Sequence, residues 1–373
     1  MKTLTKIINF ISKKKFFLRI PEKIDILIFG ITIQNFEIEK KKVYILNNQI
    51  FISAVLISIK KMFLKGDFNF AHLNDIYFFE IINSMAPKVA IGNEINFNIF
   101  KFKKFFPKKI AIAYQCVQWE KFHKARLTEW FKMKPLICDY FFVYDKKSKR
   151  TLNFVKSKFI ISGSLRNNEI ATKKKKKKYD IMFISEFREK EKTVKKHTSK
   201  VIKLIGRESY TYQSFILKAL DELIKEKKLR VCIALASNRP EKANKISSSS
   251  EKKFLHQYIK KFYTEPINSY KLAEKSEISI TCFSTLGKEL LARNHKVMFV
   301  LYSKFKSVNK KYLPEYNGKY WYKGQNNYLL KKKIIDLVKL SKKEWLMYLK
   351  RQNIGYEFDS GNKKLKKLIK SFF

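Results

Sequence analysis

Acidic residues are scarce. Asp and Glu number 32 against 81 Lys and Arg, a formal charge of +49 over 373 residues. Three readings compete for that excess: nucleic-acid binding, attachment to an anionic membrane face, and codon bias toward Lys, Ile, Asn and Phe in an AT-rich genome. Bias spreads lysine through the whole chain, yet it would not by itself deplete acids. Lysines near an anionic leaflet contribute ~1 kcal/mol each, so a few on one face would hold a protein at a membrane. Long apolar runs are missing too. The longest, Ile50 to Ile59, is about half of the ~20 residues a spanning helix takes. The opening Met1 to Phe17 has basic residues breaking any hydrophobic run and no small-residue cleavage site, so it is not expected to be a secretory signal. In it Leu4, Ile7, Ile8 and Ile11 recur at helical spacing before Lys13 to Lys15, which suits an interfacial helix or a first core helix.

Cysteine is sparse and scattered. Cys116, Cys138, Cys232 and Cys282 form no C-x-x-C and have no His at ligand spacing, which implies reduced packing residues in a cytosolic protein without a structural metal. Of five histidines (His72, His123, His197, His256, His295), none directly follows a strand-like run, so none is assigned catalysis. No RNP, helix-turn-helix or finger signature is present and the lysines are spread throughout, so no nucleic-acid partner is expected.

What is there reads as a globular α/β chain: 45% hydrophobic residues, with 33 Phe and 19 Tyr. Strand-like runs at Ile24 to Gly30, Lys88 to Gly92, Lys109 to Tyr114, Tyr140 to Tyr144 and Phe159 to Ser162 alternate with helical patterns at Gln49 to Leu64 and Leu73 to Met85. That alternation predicts a parallel sheet with helices on both faces. Lys173 to Lys178, six lysines in a row, self-repel and mark a linker. The pattern then restarts with strands Tyr179 to Ser185 and Arg230 to Ala236, a helix Tyr212 to Glu226, a loop Asn238 to Ser250 and a helix Phe254 to Phe262. Two domains follow: residues 1–170 and 179–345, joined by 171–178, with 346–373 as a helical tail that packs back on the first.

The most informative stretch is Ile278 to Leu301, a β-α-β unit in which Ile278 to Phe283 ends in Ser284-Thr285-Leu286-Gly287, a helix follows, and Val297 to Leu301 is the second strand. A strand that ends in Ser-Thr-x-Gly and opens a helix aims several amides and two hydroxyls at one spot beside the positive end of the helix dipole. That spot suits a phosphate. Glu289 lies five residues after Ser284, too far for a capping box. It is either a carboxylate one turn on that accepts from ribose hydroxyls or a solvated acid on a crossover helix, and spacing favours neither.

The segments STLGKELLAR, SYKLAEKSEISI and ISEFR (Ile184 to Arg188) resemble bacterial surface-polysaccharide (O-antigen or capsule) biosynthesis proteins, which are GT-B-like and distantly similar to CDP-glycerol glycerophosphotransferases. The resemblance runs from about Ile24 to Trp345. It implies two Rossmann-like domains facing across a cleft, metal-independent glycosyl transfer, and no cofactor beyond a nucleotide-activated donor as substrate. It also implies a donor site at Ser284, Thr285, Gly287 and Glu289, with Ser185 and Arg188 after the first strand of the second domain; Asn238 and Arg239 are candidates for the donor base or phosphate by their place after the next strand. Arg188 reads equally as one half of a surface ion pair with Glu186 or Glu189. On the acceptor side it makes Glu94 the candidate general base, with Asn93 and Gln115 beside the acceptor. Glu94 and Asn93 read equally as turn caps, and Gln115 as a side chain that satisfies a loop carbonyl. Where the family shows Gln-Asn-Gly this chain has Gln115-Cys116-Val117, which leaves open a transferase-like fold without activity. The partners implied are a nucleotide-sugar, a lipid-linked or growing glycan, and the anionic inner face of the plasma membrane. A polyol-phosphate transferase of the CDP-glycerol type is the alternative within enzymes. A basic nucleic-acid-binding protein is the alternative outside them.

Overall fold

The computed structural model describes residues 15–30, 38, 40–47, 49–66, 69–116, 136–171, 176–187, 200–238, 248–282, 284–301, 318, 321–351 and 356–373. Several residues singled out above lie outside these: Leu4 to Ile11, Lys173 to Lys175, Val117, His123, His197, Arg188 and Arg239. Of Asn238 only the backbone is described. The chain divides into two compact units, Met1–Glu169 with Asp359–Phe373, and Ile170–Phe358.

The first unit begins with β1 (Lys15–Phe17), β2 (Ile26–Phe29), β3 (Val43–Leu46) and β4 (Gln49–Phe51), then helices α1 (Ile52–Lys65) and α2 (Phe70–Met85). It continues with β5 (Val89–Asn93), α3 (Asn98–Phe105), β6 (Ile110–Tyr114), β7 (Ile137–Val143), α4 (Lys146–Thr151), β8 (Lys156–Ile161) and α5 (Leu165–Glu169). Six strands form one parallel sheet in the order β3-β2-β5-β6-β7-β8, while β1 pairs with β4 in a separate ribbon. A central strand of a parallel sheet is covered on both faces, which is why β2 reads Ile-Leu-Ile-Phe without alternation and is fully buried. The edge strand β3 is half-buried and short, and the sequence pattern overlooks it. The order reverses between β2 and β5, so a crevice opens beyond their carboxyl ends. Gly30 turns the chain there with φ 94°, a left-handed geometry that suits glycine.

The second unit holds β9 (Tyr179–Ile184), the long α6 (Lys200–Lys227), β10 (Val231–Ala234), α7 (Ser248–His256), α8 (Ser269–Glu274), β11 (Ser276–Thr281), α9 (Thr285–Ala292) and β12 (Lys296–Leu301). Then come β13 (Trp321–Lys323), α10 (Asn327–Lys339) and α11 (Lys342–Arg351). Its five strands are parallel in the order β10-β9-β11-β12-β13, one more than the sequence pattern suggests. The extra strand, β13, is three residues long and stacks Trp321 on Phe299 of β12 with ring centroids 4.7 Å apart. Here the reversal lies between β9 and β11.

Two expectations need correction. The lysine run does not stay wholly in solvent. Lys177 is half-buried, and its Nζ donates to the carbonyls of Glu274 and Ser276 at 3.1 and 2.7 Å. The stretch 346–373 is not one helical tail on the first unit either. Trp345 and Leu349 of α11 are buried in the second unit's core, and only from Asp359 does the chain belong to the first. There α12 (Lys363–Lys370) buries Leu365 and Ile369 among Ile26 and Ile28 of β2, Val89 and Ile91 of β5 and Ile112 of β6. Asn168 ties that segment down. Its Oδ1 accepts from the Asp359 amide at 3.1 Å and its carbonyl from the Gly361 amide at 2.8 Å.

Candidate functional site

In an open parallel sheet a ligand lies beyond the strands' carboxyl ends at the reversal of order, so the loops after β9 and β11 define the place to look in the second unit. These loops touch. Oε1 of Glu186, two residues past β9, accepts from the Thr281 hydroxyl at 2.7 Å, the Cys282 amide at 3.0 Å and the Ser284 amide at 3.1 Å. The part of the bend expected to receive a phosphate therefore already holds an anion of the protein's own. Glu186, read from sequence as an ion-pair partner of Arg188, which lies outside the described residues, shapes the bend through these three bonds.

Beyond the bend Ser284 is buried, while Thr285 and Leu286 are half-buried. Ser284 is the N-cap residue, with extended backbone and no capping bond from its side chain. The amides of Thr285 and Leu286 belong to the first turn of α9, where N–H groups have no intrahelical acceptor. With the Ser284 and Thr285 hydroxyls they form a short row of donors at the positive end of the helix. Gly287 has another role: a Cβ there would stand 2.7 Å from Thr281 Cγ2 and 2.9 Å from Phe299 Cε1, so its lack of a side chain lets α9 lie against the sheet. Glu289, one turn on, is half-buried and accepts from the Tyr270 hydroxyl at 2.6 Å. The Arg293 guanidinium lies 5.3 Å above the Tyr270 ring. Burial lowers the Arg293 pKa, while Tyr270, Glu274 and Glu289 act in the opposite sense.

Ser185 takes part in the packing between loops. It is fully buried and donates to Glu251 Oε1 at 2.5 Å; the same carboxylate accepts from the amides of Ala236 and Ser237 at 2.8 and 2.9 Å. A glutamate on α7 thus fixes the loops after both β9 and β10, a role the sequence pattern did not suggest.

In the first unit the strand-end residues brace one another. Glu94 is buried and accepts from the Cys116 amide at 2.7 Å. Gln115, also buried, accepts through its Oε1 from the Tyr144 amide at 2.9 Å. Asn93 accepts from the Ile95 and Asn96 amides at 3.0 and 2.8 Å, an Asx turn at the reversal. Each bond joins one strand-end loop to the next or closes a turn: Asn93 caps its turn as one reading has it, Glu94 reaches across to the loop after β6, and Gln115 accepts from a backbone amide. Among the described residues no group of three or more His, Cys, Asp and Glu gathers at metal-ligand spacing.

A parallel α/β sheet in each of two units, with donors converging beyond the strand ends of the second, is the architecture of the GT-B class. A glycosyltransferase of kitacinnamycin biosynthesis superposes with a TM-score of 0.50 at 9% identity, covering 95% of this chain and all 100% of its own. That likeness shows the fold. UDP-GlcNAc 2-epimerases from Neisseria meningitidis and Methanocaldococcus jannaschii also match, with TM-scores of 0.48 and 0.46, identities of 11% and 12%, and coverage of 93% and 94% of this chain and 98% of each of theirs. The chain belongs to the family described as "putative O-antigen biosynthesis protein", which matches residues 120–372. Among curated proteins none matches the sequence.

Proposed function

We propose that this protein is a glycosyltransferase of O-antigen or capsule assembly, moving a sugar from a nucleotide-activated donor to a lipid-linked or growing glycan at the cytoplasmic membrane face. The observation that carries this is the first turn of α9, with its unpaired amides and the Ser284 and Thr285 hydroxyls at the reversal point of a parallel sheet. Donors fixed there before a ligand arrives strengthen their hold as charge grows on the departing phosphate, so they favour the transition state over the ground state. Glu289 takes the ribose hydroxyls, with Tyr270 holding its carboxylate in place. Glu94 takes the acceptor proton, with its carboxylate oriented by the bond from the Cys116 amide. Family membership supports the pathway, and the chemistry of the α9 turn supports a diphosphate in the donor.

The test is a thermal-shift panel of CMP, CDP, UDP, GDP and dTDP, run on the wild type, Ser284→Ala and Glu289→Ala. One nucleoside diphosphate should raise the wild-type melting temperature, and each substitution should shrink that rise. Equal responses of all three proteins to every nucleotide would remove the donor site from α9. A response to CDP together with transfer from CDP-glycerol would replace the sugar by a polyol phosphate.

A further inference from the structure

Helix α1 is dressed the wrong way for a surface helix. Its inward face consists of Ala54, Ser58 and Met62, all buried. The opposite side, where polar residues are expected, carries Ile52, Leu56, Ile59 and Phe63, a stripe at helical spacing with Leu56 62% and Phe63 66% exposed. Leu64, at the end of the helix, is 76% exposed. The neighbouring ribbon repeats the pattern: β1 pairs with β4 in register Phe17↔Phe51, and the Ser53 amide donates to the Leu18 carbonyl at 3.3 Å, which sets Lys15 to Arg19 beside the start of α1. All five residues of that stretch are exposed, Leu18 by 75%.

Charge selects what covers this face. No acid occurs in residues 1–21 or 43–66, while Lys15, Arg19 and Lys60 are exposed around the apolar stripe and Lys61 is held by Glu80 at 2.6 Å. A second copy would bring this patch against itself, cation on cation. The chain's own first residues are equally basic and free of acids, so they gain no charge pairing on it. An anionic bilayer meets both needs at once, with acyl chains for the aliphatic side chains and phosphates for the lysines that border them.

We propose that α1 and the β1 edge form a membrane-seating surface, with Leu18, Leu56, Phe63 and Leu64 at the headgroup–acyl boundary and Lys15, Arg19 and Lys60 on lipid phosphates. The proposal rests on the membrane-face part of the reading above and is independent of its nucleotide part. The full chain is sedimented with phosphatidylcholine vesicles that contain or lack phosphatidylglycerol. It should partition onto the anionic vesicles alone. The Leu56→Glu/Phe63→Glu double variant should lose at least ~10-fold in partition coefficient, with its melting temperature and nucleotide response unchanged. Leu18→Glu, on the other element, should lose several-fold. Wild type that ignores anionic vesicles, equal binding to both vesicle types, or variants that sediment like wild type would each overturn the proposal. Loss of the nucleotide response alone would strike only the donor-site reading.

Discussion

Glu186 Oε1 stands 3.1 Å from the Ser284 amide nitrogen, so a carboxylate after one strand closes the bend that opens a helix after another. The same oxygen takes the Cys282 amide and the Thr281 hydroxyl. Any phosphate on α9 must share this neighbourhood with a negative charge. Glu186→Gln keeps an oxygen acceptor and removes the charge, so it should keep the fold and tighten nucleoside-diphosphate binding by several-fold at low salt. Glu186→Ala leaves two amides and a hydroxyl without that acceptor and should lose about 2 kcal/mol of stability. Urea unfolding and titration calorimetry on the two variants read these effects separately.

Glu251 should be the more costly residue to remove. It is fully buried, and Ser185, Ala236 and Ser237 all donate to it. Glu251→Ala would orphan three donors beyond the ends of β9 and β10, a loss of about 3 kcal/mol or more. Glu251→Gln retains most of the acceptor capacity and should fall between this variant and wild type. The check is the urea midpoint at constant slope, since a changed slope would mean altered compactness.

The sheets were legible in the sequence where burial is two-sided. Runs such as Ile26–Phe29 and Val89–Asn93 have no alternation and can hardly be anything but strands of a parallel sheet. Of the edge strands of the two large sheets, β8 and β10 were read from their apolar runs, whereas β3 and β13 were not, because they are short and their neighbours carry the register. The phosphate-type turn at Ser284 was visible from residue types alone. Its occupant was not, because Glu186 lies 98 residues earlier and only the parallel pairing of β9 with β11 brings it there. Glu251 was hidden for the same reason. It sits on a polar helix that reads as solvated, and its burial follows from where α7 crosses the strand ends.

Gly287 tests how closely α9 must approach the sheet. An added methyl would stand under 3 Å from Thr281 Cγ2 and from Phe299 Cε1, and the Phe299 ring is itself stacked on Trp321. The helix must therefore shift. Gly287→Ala should lose about 1–3 kcal/mol and also weaken the nucleotide-dependent thermal shift, because the moved helix carries Thr285 and Leu286 with it. Gly66→Ala serves as a contrast: nothing lies within 4 Å of its Cβ position, although its φ of 60° still strains the new residue. It should be destabilised without losing the nucleotide response.

The terminal helix is expected to matter for the first unit as much as a core strand does. Leu365 and Ile369 are fully buried against β2 and β5, with Leu368 and Phe372 packed partly buried beside them. Leu365→Ala should cost about 2–5 kcal/mol. Asn168→Ala, which removes the acceptor of the Asp359 amide and the donor to the Ser162 carbonyl, should cost about 1–3 kcal/mol. A double variant should lose less than the sum, since both act on the docking of one segment.

His295 gives the stability a pH dependence of definite sign. Its Nε2 lies 2.9 Å from Ser279 Oγ, and desolvation, with Lys177, Lys342 and Lys296 adding to it, holds the imidazole pKa well below its ordinary range. The folded protein thus keeps this ring neutral at a pH where the unfolded chain takes up a proton. Because the unfolded state binds more protons there, stability is complete above the unfolded pKa of ~6.5 and declines as pH falls below it. Glu265, held down to about 2 chiefly by its bonds from Lys178 and Lys275, adds its own loss only in more acid solution, below its ordinary value of 4.5. Melting temperatures between pH 7.5 and 5 should therefore fall for the wild type and fall less for His295→Gln, which keeps a polar partner for Ser279 and has no proton to gain. Parallel slopes for the two proteins over that interval would show that another group governs the decline.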